Sequence, residues 1–67
     1  MKWRAQTECS EPKRFEIEHD PNVGFFLYVY ECGKCISDQL QDTFEIAVAS
    51  AMEEYGVPEE AWKKVVN

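Results

Sequence analysis

The spacing of apolar residues changes once along this chain, from every second residue to every third or fourth, and the change falls near residue 43. In Lys2 to Thr7, Trp3, Ala5 and Thr7 oppose Lys2, Arg4 and Gln6; in Arg14 to His19, Phe15, Ile17 and His19 oppose Arg14, Glu16 and Glu18. Side chains that alternate in this way line the two faces of half-buried antiparallel strands. Phe25 to Tyr30 is apolar on both faces, with Phe25, Leu27 and Val29 on one and Phe26, Tyr28 and Tyr30 on the other. It is expected to be the central strand of the sheet. Turn residues separate the runs: Cys9-Ser10-Glu11-Pro12, then His19-Asp20-Pro21-Asn22 with Gly24, then Glu31-Cys32-Gly33-Lys34. Cys35 to Ser37 is a candidate short fourth strand.

From Phe44 the pattern is helical. Phe44, Ala47, Val48, Ala51, Met52 and Tyr55 follow the i, i+3, i+4 spacing of a core-facing stripe. Asp42 and Thr43 are alternative N-caps, and Gly56 fits the left-handed C-terminal position. Pro58, Glu59 and Glu60 suit the first turn of a second, short helix, anchored by Trp62, Val65 and Val66 and ending with Lys63 and Lys64 near its negative pole. The expectation is one small α+β domain over residues 1–67. Its antiparallel sheet has three or four strands, a helix from about Thr43 to Tyr55 packs on one face, and a short C-terminal helix follows.

At 67 residues, a chain buries only about 60% of the surface its unfolded form exposes, which leaves one modest core and no deep catalytic cavity. With 7 Lys or Arg against 13 Asp or Glu, the net charge is −6. Residues 1–35 carry five cations and six carboxylates, while residues 36–67 carry two and seven, so the helical half holds −5 of it. That balance argues against nucleic acid and anionic membranes as partners, because phosphate binding needs clustered cations. No apolar run approaches the roughly 20 residues that span a bilayer. Met1 to Ser10 carries Lys2, Arg4 and Glu8 and has no apolar stretch, so no leader is expected there.

The three cysteines, Cys9, Cys32 and Cys35, cannot all pair within one chain, which points to a reducing, cytoplasmic setting. Cys32-Gly33-Lys34-Cys35 is a C-x-x-C motif with three readings. A thioredoxin-like reading needs further strands after the helix, and too little chain remains. A zinc reading joins Cys32 and Cys35 to Cys9 and His19 as a Cys3His set, with sound ligand chemistry but no second compact pair. The reading that asks least makes Cys32 a turn residue and Cys35 a small buried residue opening the return strand. No cofactor other than that zinc is implied. His19 followed by Asp20-Pro21 reads as a turn cap, and the pairs Glu53-Glu54 and Glu59-Glu60 as solvated helix charges, so no catalytic residues are assigned.

Phe26, Tyr28 and Tyr30 are the candidate interface. If the helix covers the Phe25, Leu27, Val29 face, these rings stand on the other side of the sheet, and exposed aromatic stripes mark contact surfaces. The alternative is that the C-terminal segment with Trp62 covers them.

The run Asp42-Thr43-Phe44-Glu45-Ile46-Ala47 through Ala51, placed after three strands, resembles the helix start of HicB-type antitoxin domains, whose partial double-stranded-RNA-binding-like fold runs βββα. The layout through Glu53-Glu54-Tyr55-Gly56-Val57-Pro58-Glu59-Glu60-Ala61-Trp62 is also similar to short bacterial α+β proteins, some of them grouped with immunity proteins. These resemblances imply a cytoplasmic bacterial α+β domain. The function expected from the residues is a non-enzymatic interaction module whose Tyr28 and Tyr30 face or acidic helix surface contacts a basic protein partner or a second copy, with a zinc or thiol protein using Cys32 and Cys35 as the alternative.

Overall fold

A computed structural model describes residues 1–7 and 13–65. Four strands, β1 (Lys2–Thr7), β2 (Lys13–Asp20), β3 (Gly24–Glu31) and β4 (Lys34–Gln41), precede a single α-helix, α1 (Phe44–Tyr55). A 3₁₀ turn at Glu59–Ala61 and a two-residue strand, β5 (Lys63–Lys64), follow. All pairings are antiparallel, in the order β4-β3-β2-β1-β5, and α1 lies across one face.

The α+β class and the antiparallel sheet are as expected, and three details differ. The described sheet has five strands rather than three or four. β2, not β3, stands in the middle, although β3 is also paired on both sides. The C-terminal helix after Pro58 is only the 3₁₀ turn: Trp62 is extended at φ −77° and ψ 126°, and its N–H closes the turn on the Glu59 carbonyl. So few residues cannot carry the cost of nucleating an independent helix. The backbone instead pairs with the edge of β1, with Lys63 opposite Arg4, Lys64 opposite Trp3, and the Val65 N–H donating to the Lys2 carbonyl at 2.8 Å.

The core is built from the strand faces that the alternation marks. Ala5, Phe15, Ile17, Leu27 and Val29 meet Ala47, Val48 and Ala51 of α1, and Val57 closes the far end. Ala47 and Ala51 let the helix approach the sheet closely, while Met52 of the expected stripe stays 47% exposed because the contact is narrower than that stripe. Trp3, Phe25 and Phe44 form an aromatic edge to this core, with Trp3 and Phe44 ring centroids 4.5 Å apart. Thr43 is the N-cap, its hydroxyl accepting from the Ile46 N–H at 3.1 Å. At the other end Gly56 is left-handed and donates to the Met52 carbonyl at 2.9 Å, which turns the chain so that Val57 is buried.

Candidate interaction face of the sheet

Residues directly opposite in antiparallel strands share a face, so the register maps the side of the sheet that α1 leaves open. Along β3 this side presents Phe26, Tyr28 and Tyr30. Opposite them on β2 stand Glu18, Glu16 and Arg14, and beyond these on β1 stand Lys2, Arg4 and Gln6. On the other flank β4 contributes Leu40, Asp38 and Cys35.

The three rings form a column, with centroids 6.0 Å apart between Phe26 and Tyr28 and 6.4 Å between Tyr28 and Tyr30. The Arg14 guanidinium caps the column, 4.7 Å from the Tyr30 centroid. All three rings are half-buried by their neighbours within the sheet. Trp62 packs against the core on the helix side and does not cover them. Burial, then the charges of Glu18, Tyr30, Asp38 and Cys35, raise the Tyr28 phenol above its ordinary value, so it stays a neutral hydrogen-bond donor.

Beside the column lies a charged cluster that the spacing of residues did not announce. Glu16 is 5% exposed although it points to the open side. Its carboxylate is ringed by Arg14 Nε at 3.0 Å, Lys2 Nζ at 3.5 Å and Arg4 Nε at 3.7 Å. The Arg14 contact is close but poorly aligned, so its buried Nε is left without a hydrogen bond of good geometry. Charged side chains on this face are nearly balanced. Among the described residues, Lys2, Arg4, Arg14 and Lys63 face Glu16, Glu18, Asp20 and Asp38, whereas α1 carries three glutamates and no base. The face combines a flat apolar column with charges already held in position, an arrangement suited to contact with another surface.

The proposed zinc ligands are not gathered. His19 pairs with Phe25 at one end of β2 and stacks on its ring at 4.3 Å. Cys35 shares a row with Tyr30 and Arg14, five residues away along β2, which is roughly 17 Å at strand rise. His19 therefore shares no metal with Cys32 and Cys35, and Cys9 lies outside the described residues. Among the described residues no three His, Cys, Asp or Glu side chains cluster in a way that could hold a metal. The turn cap expected at His19 falls instead to its neighbour Asp20, whose carboxylate accepts from the Asn22 N–H at 2.9 Å.

Cys35 corrects the expectation of a buried thiol: both Cys32 and Cys35 are exposed. The reason is the edge position of β4. Cys35 faces the open side opposite Tyr30, and the register shifts between Val29 and Tyr30, where Ile36 is the extra residue. Cys32 does occupy the turn, with φ of 52° followed by Gly33 at 82°. Two successive positive φ values are what a tight hairpin matching the twist of its strands requires.

Among the described residues no helix is long and apolar enough to cross a membrane. Compared with models of known families, with curated proteins and with solved structures, the chain gives no match, so its reading rests on the geometry above.

Proposed function

We propose that the chain is a small non-enzymatic protein-interaction module whose contact surface is the open face of the sheet, centred on Phe26, Tyr28 and Tyr30. The observation that supports this is the aromatic column itself: it stands on the side opposite α1, over a charged row held flat by Glu16. Aromatic side chains of this kind supply much of the energy of protein contacts at low entropic cost. The acidic helical half steers a basic partner toward the module before the apolar contact forms. An antitoxin- or immunity-like role in a bacterial cytoplasm fits such a surface, because neutralising a basic partner needs binding and no chemistry.

The test is the double substitution Tyr28→Ser with Tyr30→Ser. Each ring contributes to its sheet through cross-strand contacts worth about 0.2–1 kcal/mol, so the variant keeps its far-ultraviolet circular dichroism and a cooperative melt. Capture of the partner from an extract of the native cell is lost. If the variant unfolds, the rings are core and the surface does not exist. If it folds and capture is unchanged, the contact lies elsewhere.

A further inference from the structure

Free cysteine is among the most buried of residues, yet Cys32 and Cys35 are both exposed. Cys32 also holds a backbone conformation for which cysteine is a poor choice. Its φ of 52° is the only positive value among the described non-glycine residues. That turn position favours Asn, Asp or Gly, and a β-carbon there costs on the order of 1 kcal/mol. An Asn-Gly turn would close the same hairpin without the strain. Cysteine at this position adds one thing to the hairpin, a solvent-accessible thiol three residues from a second. Strain retained at an exposed reactive side chain is a reason to look for its ligand.

The charges at this end of the sheet favour a negatively charged centre. Lys13 is opposite Glu31, Glu31 is opposite Lys34, and Arg14 shares the row of Tyr30 and Cys35. Among the described residues, Lys13, Arg14 and Lys34 against Glu31 and the Glu16 that Arg14 contacts at 3.0 Å leave these rows at a formal +1, in a chain whose total is −6. A tetrahedral zinc centre of four thiolates carries a charge of about −2 and takes Zn–S bonds of about 2.3 Å. The described part of one chain brings two thiols to this place.

We propose that the Cys32–Cys35 hairpin is a half-site for zinc, and that one Zn²⁺ joins two copies of the chain through four thiolates, two from each copy. A two-fold axis through the metal makes the contact self-complementary and closed, so assembly stops at a pair. Four thiols each give a proton to solvent, Zn²⁺ accepts the four sulfur electron pairs, and no electron is transferred. The dianionic centre then sits between two cationic hairpin ends. The site depends on the thiols and not on the Phe26–Tyr28–Tyr30 rings; Cys35 stands opposite Tyr30 on the same face, so separate thiol and ring variants distinguish the two readings.

Reduced full-length protein titrated with Co²⁺, and then Zn²⁺, tests this by visible and near-ultraviolet absorption together with sedimentation velocity. Expected are the intense bands of tetrahedral thiolate-bound cobalt, saturation at half an equivalent of metal per chain, and a doubling of sedimenting mass. Lower pH moves half-saturation to higher metal, because protons compete for the sulfurs. Cys32→Ser and Cys35→Ser each abolish bands and dimer while circular dichroism is unchanged, since both thiols are exposed. Cys9→Ser retains both signals, and so does the Tyr28→Ser, Tyr30→Ser variant. One metal per chain without dimerisation, loss of the bands in Cys9→Ser, or dimers that persist in chelator would each overturn the proposal.

Discussion

Glu16 shows how a single residue on an exposed face becomes structural. Its carboxylate is removed from water by three long cationic side chains, Lys2, Arg4 and Arg14, each of which remains about half in solvent. Taking away the carboxylate leaves three like charges crowded over the same spot. Glu16→Gln is therefore expected to lower stability by about 1–2 kcal/mol, less than a fully buried pair because solvent screens the cations. A urea midpoint identical to the parent's would show that the cluster is idle. At Cys32 the expectation has the opposite sign. Cys32→Asn relieves the left-handed strain and raises stability by about 0.5–1 kcal/mol in metal-free protein, while removing half of the proposed ligand pair. If the melting temperature falls instead, the thiol has contacts in the fold that the hairpin geometry does not account for.

Among elements, α1 depends on its ends as much as on its stripe. Thr43→Ala removes the acceptor of the Ile46 N–H and is expected to cost about 1 kcal/mol, read as a shift in the denaturation midpoint. The helix and the first three strands were legible in the sequence because each has one wet and one dry face: Phe15 and Ile17, Leu27 and Val29, Ala47 and Ala51 fall at the spacing of their element. β4 was legible only at its start. The residues it turns toward the helix side are Ser37, Gln39 and Gln41, of which the glutamines form a chain of hydrogen bonds to α1, Gln41 donating to Gln39 at 3.1 Å and Gln39 to Glu54 at 2.9 Å. A strand whose inward face is polar leaves no apolar period to read. β5 was hidden for a related reason: its two lysines are held by backbone pairing, which side-chain pattern does not report. The amide of Val65, bonded to Lys2, should accordingly be protected from hydrogen exchange along with β1. Exchange at the rate of an unstructured chain would mean that the C-terminal segment is undocked. At the site, the aromatic column followed from strand alternation, but the Glu16 cluster needed the register of β1 against β2, which joins residues far apart in the chain.

For the whole molecule, the sheet's open side is nearly charge-balanced and the helical side is strongly acidic. Repulsion among those carboxylates opposes folding at low ionic strength, so added salt is expected to raise the denaturation midpoint modestly while slowing association with a basic partner. A midpoint that falls with salt would indicate that the ion pairs at Glu16 outweigh the repulsion. The two borders of the sheet differ as much as its two sides. One is β5, two lysines long; the other is β4, eight residues long, with Ile36 and Leu40 about half exposed. Edges are where sheets recruit further strands, and short lysine-bearing ones resist it. Among the described residues the two edges are therefore protected unequally, β4 by a single bulge in eight residues and β5 by its shortness and its lysines. A strand added to this described sheet would meet a longer run of edge backbone at β4 than at β5, divided by the bulge at Ile36.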